Sequence, residues 1–373
     1  MSITPHDERF MAAAIRLSRW HLGRTATNPS VGCLIVKDGV IVGRAVTALS
    51  GRPHAETQAL AEAGVLARGA TAYVTLEPCS HHGKTPPCAE ALIAYGVARV
   101  VISVTDPDPR VSGRGIAMLR EAGIEVDAGV LEAEGRQSLA AYLTRQTKNR
   151  PYVTLKLAVS ADGMIGRQGA GQVAITGPEA RAQVQALRAE TDAILVGIGT
   201  AIADDPLLTV RSPGLESQSP TRIVLDPSLA LPLTSKLVAT AREVPVIVVA
   251  SEETSLLAAE GGASPADMDS RRAAFEAAGV EVVHCNPYHP EVLLPALATR
   301  GISSLLVEGG AKTARLFLEA GLVDRIQLYQ APVVIGERGI ESPLDATDIP
   351  SGFAHTGTLM FGGDRLDEYE RGL

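Results

Sequence analysis

The chain has 373 residues, of which 46% are hydrophobic and 20% charged, and its formal net charge is −8. This length predicts two domains at roughly 150 residues each, and the acidic balance argues against a polyanionic partner such as nucleic acid. No apolar run reaches about 18 residues, so no transmembrane helix is expected, and the polar start predicts no signal peptide. Four cysteines are too few for a disulfide scaffold, which favours a cytoplasmic setting in which clustered cysteines bind metal or catalyse.

The first 147 residues alternate helical and strand patterns, as a layered α/β domain does. The first helix is amphipathic, and Lys37-Asp-Gly39 separates the first two strands as a hairpin turn. The predicted helices are 6–21, 54–63, 88–95, 113–122 and 132–145, and the predicted strands are 31–36, 40–42, 72–76, 99–104 and 125–128.

A domain boundary is predicted between residues 147 and 148. The formal charge changes from +1 over residues 1–147 to −9 over residues 148–373. The change coincides with a polar stretch that ends in Pro151, which cannot continue a helix and favours extended geometry at Arg150.

The second half predicts a largely parallel sheet with antiparallel strands added at its end, because the tail from Arg325 shows strand and turn patterns. The predicted strands before this tail are 152–158, 193–196, 222–225, 246–249, 281–284 and 304–307, and the predicted helices are 178–189, 270–278, 290–300 and 312–320.

One histidine and two cysteines in the first half give the sharpest chemical signal. His54-Ala-Glu56 is followed by Cys79 and Cys88, each at a predicted junction between a strand and a helix. His54, Cys79 and Cys88 suit Zn²⁺, and three protein ligands leave a position for a water whose pKa falls toward about 7. Glu56 is then free to transfer protons between water, a substrate ring and leaving ammonia. A helix N-terminus should favour a thiolate at Cys88.

Other interpretations of these residues stay open. A structural zinc would need a fourth protein ligand, which His81 or His82 can supply. A nucleic-acid base deaminase would carry a basic first half, and a binding module with a structural zinc would not need Glu56. Cys33 and Cys285 lack such context and are predicted to be ordinary buried cysteines.

Two glycine-containing segments of the second half are candidates for a nucleotide cofactor. The segment from Gly197 to Ile202 begins like a dinucleotide-binding loop but lacks its third glycine. Gly309 and Gly310 follow a predicted strand and open a predicted helix, where backbone N–H groups can hold a pyrophosphate. The alternative is a glycine pair that serves helix packing.

These motifs together resemble the bifunctional deaminase/reductase of riboflavin biosynthesis, and the resemblance covers the chain essentially end to end. The long spacer between Cys79 and Cys88 is specific, because cytidine and tRNA-adenosine deaminases have Cys-x-x-Cys there. The matching stretches are residues 28–32, 54–56, 75–88, 106–115, 155–157, 162–163, 203–206 and 307–310.

The resemblance implies an N-terminal cytidine-deaminase-like α/β/α domain and a C-terminal dihydrofolate-reductase-like α/β domain. Residues 1–147 would use one zinc ion to deaminate 2,5-diamino-6-(5-phosphoribosylamino)pyrimidin-4-one hydrolytically. Residues 148–373 would use NADPH to reduce the ribosyl group to ribityl phosphate. The implied partners are small phosphorylated pyrimidines, with neither nucleic acid nor membrane, and the implied assembly is a cytoplasmic homo-oligomer, a dimer or a tetramer.

The substrate of the deaminase has a phosphate and a ring to be bound. His82 and Lys84 belong to a polar loop beside the zinc ligands that suits a phosphate, although the loop can also be merely solvated. Asn28 can bind the ring through its amide, or it can be a turn residue.

The reductase contacts follow from a residue-by-residue match to the family. Arg188 and Arg211 suit a phosphate but can equally be surface residues, and Lys156 should point into the site from mid-strand, with Asp162 as a candidate partner. The cofactor positions are Ala158, Thr200, Asp204, Gly310, Ala311, Lys312, Thr313, Ala314, Arg315 and Leu316, and the substrate positions are Lys156, Gln172, Arg188, Leu208, Arg211 and Glu308.

Two positions depart from the family pattern. Asp108 stands where the family often has asparagine, which adds a negative charge near the expected substrate loop. Ala174 stands where an aromatic residue is frequent in the reductase, which removes packing against the pyrimidine.

Overall fold

The computed structural model describes residues 3–81, 86–108, 112–251 and 265–372. The chain divides into two compact units, Met1–Arg150 and Pro151–Leu373. The predicted boundary after residue 147 lies inside the last helix of the first unit, Ala140–Lys148. No helix in the described ranges has the length and apolar character needed to cross a membrane.

The first unit is built on a five-stranded sheet in the order β2-β1-β3-β4-β5. Strand β1 is antiparallel to both of its neighbours, whereas β3, β4 and β5 are parallel. Helix Pro5–Ser18 covers one face, and the core on the other face includes residues of helices Ala55–Ala63 and Cys88–Tyr95. The strands are β1 Gly32–Lys37, β2 Val40–Val46, β3 Thr71–Leu76, β4 Arg99–Val104 and β5 Glu125–Ala128, and the remaining helices are Arg114–Glu121, Glu132–Ser138 and Ala140–Lys148.

The single helix predicted over residues 132–145 is wrong, because the chain leaves helical geometry at Leu139 (φ −99°, ψ 7°). Leu139 is buried in the core below the sheet. In the preceding helix, Gly135 lies so close to Ser103 of β4 that a β-carbon there would overlap the serine side chain.

The second unit is built on a nine-stranded sheet in the order β11-β10-β9-β8-β12-β6-β13-β16-β15. All pairs from β11 to β13 are parallel, and β16 and β15 are antiparallel, as the sequence predicted. The strands are β6 Tyr152–Val159, β7 Met164–Arg167, β8 Ala193–Gly197, β9 Thr221–Leu225, β10 Val246–Ala250, β11 Glu281–His284, β12 Ser304–Val307, β13 Arg325–Gln330, β14 Gly339–Glu341, β15 Phe353–Phe361 and β16 Asp364–Arg371.

The helices of the second unit include two short ones that the sequence patterns did not predict, Ile198–Asp204 and Lys236–Ala239, and strands β7 and β14 form a separate two-stranded ribbon. On the central strand β6, alternate residues such as Leu155 and Leu157 face one apolar core. Lys156 and Ala158 therefore face the other side of the sheet. The remaining helices are Pro178–Ala189, Pro265–Ala278, Pro290–Thr299 and Ala311–Glu319.

A buried ion pair ties the first helix to the sheet. The Asp7 carboxylate accepts hydrogen bonds from Tyr73 Oη (2.8 Å) and from Arg99 Nη1 (2.7 Å), and it forms a capping box with Thr4. Burial raises the pKa of Asp7, but the bonds from Arg99 and Thr4 outweigh burial and hold it well below its usual range. Arg99 also pairs with Asp127 at 2.6 Å.

We expect Asp7→Asn to lower the free energy of unfolding of the first unit by about 2 kcal/mol at neutral pH, because Arg99 and Tyr73 lose a charged partner. Because the pKa of Asp7 is depressed on folding, the wild-type advantage is fully present above the ordinary carboxyl pKa and is lost progressively as pH falls below it toward the depressed pKa of the folded state. Scanning calorimetry from neutral pH down to about pH 2 measures both effects. The exposed pair of Glu132 and Arg136 provides the control, since Glu132→Gln should cost less than about 0.5 kcal/mol; equal losses for both variants would contradict a special role for the buried pair.

Candidate active sites

The three predicted zinc ligands of the first unit lie together. His54 is the N-cap of helix Ala55–Ala63, Cys88 is the first residue of helix Cys88–Tyr95, and Cys79 lies in the segment between β3 and that helix. His54 Nδ1 is 3.3 Å from Cys88 Sγ and 3.7 Å from Cys79 Sγ. The ligand atoms of all three residues lie within 4.8 Å of one another, which brings them within reach of one metal ion.

The chemistry of these donors fits zinc. The backbone N–H of Cys88, at the helix N-terminus, donates to Cys79 Sγ at 3.3 Å. Hydrogen bonds from Cys88 and then His54 lower the pKa of Cys79 to about 4 despite its burial, whereas the bond to Cys79 and burial raise the pKa of Cys88. The hydrogen bonds of this group therefore favour a thiolate at Cys79. One imidazole and two sulfurs are a donor set that zinc prefers.

Glu56 lies beside this centre without joining it. Its side chain is buried in the first turn of helix Ala55–Ala63 and lines the same pocket as His54 and Cys79. Burial raises the pKa of Glu56, although the neighbouring His54 opposes the rise. A buried carboxyl with a raised pKa is suited to take up and release a proton.

The fourth ligand of a structural zinc is not found among the described residues. His81 lines the pocket, but it is outside the three-ligand group, and its Nδ1 atom is buried without a hydrogen-bond partner. His82 and Lys84 lie outside the described residues. The described ligand set is thus that of a zinc site with an open position.

The pocket wall carries polar groups of both signs. Asn28 lines it, and a β-carbon at the neighbouring Gly51, whose φ is +87°, would overlap the Asn28 amide nitrogen. Asp106 accepts two hydrogen bonds from Tyr142 Oη, both of 3.1 Å. Asp108, which stands where the family often has asparagine, is buried beside it. Sequence reasoning missed three wall residues, Arg52, Tyr142 and Arg145, because only the fold brings these separate segments together.

A buried glutamate supports this wall. Glu77 accepts hydrogen bonds from the backbone N–H groups of Gly113 (3.0 Å) and Gly115 (3.1 Å) and so caps helix Arg114–Glu121. A β-carbon at Gly115 would overlap the Pro78 carbonyl oxygen. The segment that carries Cys79 and the start of helix Arg114–Glu121 are therefore packed closely together.

In the second unit, two helix N-termini meet at the carboxyl ends of β8 and β12. Gly310, the N-cap of helix Ala311–Glu319, donates its N–H to Thr200 Oγ1 at 3.1 Å. A β-carbon at Gly197, the N-cap of helix Ile198–Asp204, would lie 2.5 Å from Thr313 Oγ1. A β-carbon at Gly199 would meet nothing within 4 Å. We call these two helix starts, with Gly197, Gly199, Thr200 and Gly310, the cradle. Its closely spaced backbone and the N–H groups of the first helical turns fit a pyrophosphate.

The structure separates the predicted cofactor residues by the atoms they can offer. The N–H groups of Ala311, Lys312 and Thr313 lie in the first turn of the helix, where no acceptor within the helix is available to them. The N–H of Ala314 is the first that has one, since it donates to Gly310 O at 3.2 Å. Ala314 is fully buried in the core, Leu316 packs against that core and Arg315 is exposed. Asp204 ends its short helix, and burial raises the pKa of its carboxyl.

The predicted substrate residues form a buried ion pair beside Lys156. Arg188 donates two hydrogen bonds to the Glu308 carboxylate, Nε to Oε1 at 2.8 Å and Nη2 to Oε2 at 2.9 Å. Burial raises the pKa of Glu308, but the adjacent Arg188 outweighs it, so that the carboxylate stays ionised. Burial lowers the pKa of Lys156, and the nearby Glu308 only partly offsets this. The guanidinium of Arg188 is thus directed at Glu308 in this conformation.

The expected pairing of Lys156 with Asp162 is wrong. The Asp162 carboxylate instead accepts hydrogen bonds from Ser160 Oγ (2.6 Å) and from the N–H groups of Ile335 (3.0 Å) and Gly336 (2.8 Å). Asp162 holds a turn, and the acidic neighbour of Lys156 is Glu308.

The other predicted substrate residues differ in exposure. Leu208 is buried with a positive φ of 56°, which is uncommon for leucine. Gln172, Ala174 and Arg211 are exposed, and the backbone N–H of Arg211 donates to Gln185 Oε1 at 2.7 Å. The exposed guanidinium of Arg211 is therefore better placed than that of Arg188 to meet a phosphate from solvent.

Both units match known families. Residues 4–104 match the cytidine and deoxycytidylate deaminase zinc-binding region, and residues 151–361 match the RibD C-terminal domain. The riboflavin biosynthesis protein RibD of Aquifex aeolicus is 42% identical over 331 residues, which are 89% of this chain and 88% of that protein. Its counterpart in Escherichia coli is 42% identical over 332 residues, which are 88% of this chain and 89% of that one.

The fold is similar to that of a solved structure over nearly the whole length. This is the diaminohydroxyphosphoribosylaminopyrimidine deaminase/5-amino-6-(5-phosphoribosylamino)uracil reductase of Thermotoga maritima, which is 34% identical, with a TM-score of 0.84. The superposition covers 98% of this chain and 99% of that chain.

We expect the purified chain to bind one zinc ion through His54, Cys79 and Cys88. The substitution Cys79→Ser should lower the zinc content at least about tenfold, because a hydroxyl is a poor substitute for a thiolate. Glu56→Gln should keep full zinc content. Plasma emission spectrometry measures the metal. Cys285→Ala is the control, since Cys285 is buried in the core of the other unit; a loss of zinc in this variant, or its retention in Cys79→Ser, would refute the ligand assignment.

We expect Gly310→Val to raise the NADPH dissociation constant at least tenfold, a loss of about 1.4 kcal/mol, because its side chain would occupy the cradle. The new β-carbon would lie 3.2 Å from Thr200 Oγ1, a contact that a small shift relieves, so the variant should fold. Titration calorimetry gives the constant. Gly357→Val, on β15 with nothing within 4 Å of the new β-carbon, should bind NADPH like the wild type. Wild-type affinity in a folded Gly310→Val variant would place the pyrophosphate elsewhere.

Proposed function

Since the chain belongs to the RibD family of bifunctional riboflavin biosynthesis proteins, we propose that the two arrangements described above are its deaminase and reductase sites. The chain is a deaminase and a reductase that uses zinc and NADPH, with a cytidine-deaminase-like first fold and a dihydrofolate-reductase-like second fold. We assign residues 1–147 to deamination and residues 148–373 to reduction. The observation that carries the assignment is the group of three ligand atoms within 4.8 Å beside the buried Glu56.

In the deaminase site, Glu56 is the proton-transfer residue. Zinc, when held by His54, Cys79 and Cys88, supplies Lewis-acid chemistry that lets water act as a nucleophile near neutral pH. The raised pKa of Glu56 suits a carboxyl that takes a proton from the attacking water and gives it to the amino group that leaves as ammonia.

The deaminase substrate is a diaminopyrimidine that carries a phosphoribosyl group, the class of compound for which the Thermotoga maritima deaminase is named. Asn28 and the buried carboxyl groups of Asp106 and Asp108 line the pocket and suit the ring with its amino groups. Arg52 and Arg145 line the same pocket and suit the phosphate, to which the predicted contacts of His82 and Lys84 add.

In the reductase site, the cradle holds the cofactor and the Lys156 region holds the substrate. NADPH, when bound, supplies the reducing equivalents. Thr200 and the N–H groups of Ala311, Lys312 and Thr313 bind its pyrophosphate, and Ala158 and Asp204 flank it. Lys156 contacts the substrate from the centre of the sheet, and Arg188 fixes Glu308 beside it. Gln172, Leu208 and Arg211 complete the substrate contacts, with Arg211 on the phosphate.

We also propose that the chain forms a cytoplasmic homo-oligomer, a dimer or a tetramer. The thiols of Cys79 and Cys88 must stay reduced to bind zinc, which a reducing compartment ensures. Trp20 and Val65 are 70% and 91% exposed, and apolar side chains of this kind suit a contact between copies. Light scattering during gel filtration measures the assembly.

We expect Glu56→Gln to lower ammonia release from the diaminopyrimidine phosphate at least about 100-fold, because an amide cannot relay the proton. The measurement follows ammonia with the aminopyrimidine phosphate as substrate, and in parallel follows NADPH oxidation with substrate that is already deaminated. NADPH oxidation should stay at the wild-type rate.

Glu62→Gln is the matched control, because Glu62 is exposed on the same helix and should be dispensable for both reactions. Chelation of zinc in the wild type should stop ammonia release and spare NADPH oxidation. Normal deamination by Glu56→Gln would remove the proton-transfer assignment, and equal loss of both reactions on chelation would contradict two separate sites.

A further inference from the structure

A polar cluster lies on the Lys156 face of the nine-stranded sheet. In the register of β6 and β13, Gln327 is opposite Lys156 and Tyr329 is opposite Ala158. The intervening residues Ile326 and Leu328 belong to the core on the other face. Because strand residues alternate between faces, Gln327 and Tyr329 share the face of Lys156. They thus lie one strand away from a proposed substrate residue and a proposed cofactor residue.

Two polar atoms of this cluster are buried without a partner. The Tyr329 side chain is 0% exposed and Gln327 is 4% exposed. Neither the Tyr329 hydroxyl nor Gln327 Oε1 has a hydrogen-bond partner within the described ranges. The amide of Gln327 is oriented by its nitrogen, which donates to Glu368 Oε1 at 2.7 Å, so the oxygen is held available. A buried polar group left unpaired is costly, and two such groups near a proposed site are candidates for contacts with a bound molecule.

Both groups lie beside proposed residues of the reductase site. The Lys156 ammonium lies 5.6 Å from the centre of the Tyr329 ring. The Tyr329 hydroxyl is also close enough to Glu308 for that carboxylate to contribute, after burial and Glu368, to the raised pKa of the tyrosine. Tyr329 is therefore a direct neighbour of Lys156, and Gln327 is opposite Lys156 on the same face of the sheet.

We propose that Gln327 Oε1 and the Tyr329 hydroxyl bind hydroxyl groups of the ribosyl part of the reductase substrate. This inference rests on the proposed reductase site. A sugar hydroxyl donates to an amide oxygen and both donates to and accepts from a phenol, so the two unpaired atoms match the chemistry of a polyhydroxyl chain. Tyr329 is opposite Ala158, a proposed cofactor residue, and Gln327 is opposite Lys156, a proposed substrate residue. The two side chains therefore lie where the cofactor and substrate contacts meet. A site built in this way discriminates strongly against a sugar that lacks the hydroxyl, because the protein groups then stay unpaired.

Tyr329→Phe tests the proposal with almost no change of shape. Because the hydroxyl has no partner among the described residues of the free protein, its removal should leave the melting temperature unchanged or raise it. The Kd for NADPH should stay within twofold of the wild type, whereas the KM for the deaminated ribosyl substrate should rise at least tenfold. Gln327→Met should raise the same KM, with some loss of stability because Glu368 loses a donor.

Deoxyribosyl analogues separate hydrogen bonding from packing. With 2′-deoxy and 3′-deoxy substrates, the kcat/KM of the wild type should fall below its value with the ribosyl substrate. For at least one analogue, Tyr329→Phe should have nearly the same kcat/KM as the wild type, because the hydrogen bond is already absent. Tyr369→Phe is the control, since Tyr369 lies on β16 and packs against the core on the opposite face of the sheet.

The outcomes distinguish this inference from the proposed function. If Tyr329→Phe and Gln327→Met keep the wild-type KM while Lys156→Met loses reduction, the inference is wrong and the reductase site stands. If the variants lose equal factors with the ribosyl and both deoxyribosyl substrates, the residues act through packing and the inference is also wrong. If the wild type does not oxidise NADPH with the deaminated substrate, the proposed function itself fails.

Discussion

Both sites depend on one constraint, which is that the first N–H groups of an α-helix find no acceptor inside the helix. In the first unit this places His54 and Cys88 at helix starts, and the Cys88 N–H stabilises negative charge on Cys79 Sγ. In the second unit, two helix starts at Gly197 and Gly310 lie close together, and the donors they leave suit the proposed pyrophosphate contact. The strands serve to deliver these helix ends to one edge of each sheet.

Three buried glutamates show how surroundings decide the role of one side chain. Glu77 receives several backbone N–H groups and acts as a helix cap. Glu308 is paired with Arg188 and remains a fixed negative charge. Glu56 is buried beside His54, whose charge does not outweigh the cost of burial, and its raised pKa suits it to exchange protons. The local sequence around these three glutamates is similar, with glycines, prolines or cysteines nearby. Their different roles become visible only from the groups that each side chain contacts in the folded protein.

Much of the fold follows from local patterns, because strands such as β4 and helices such as Cys88–Tyr95 begin and end where hydrophobic periodicity and turn residues indicate. The zinc ligands were also predictable, since soft donors at strand-to-helix junctions have few other uses. The break at Leu139 was not, because residues 138–140 contain neither glycine nor proline, the usual local signals of a helix end. The pairing of Arg188 with Glu308 and the turn held by Asp162 likewise depend on partners more than 100 residues distant, which no local pattern encodes.

The strand order of the second unit constrains the time course of folding during synthesis. Strand β12 lies between β6 and β8, although it is the last of the three to leave the ribosome. Until residues 304–307 are made, β6 and β8 have no shared neighbour and the centre of the sheet has a gap. The sheet of the first unit, in contrast, is complete once β5 is made. The nascent chain therefore carries the complete sheet of the zinc-binding unit while β6 and the group of strands from β8 to β11 still lack the strand that joins them.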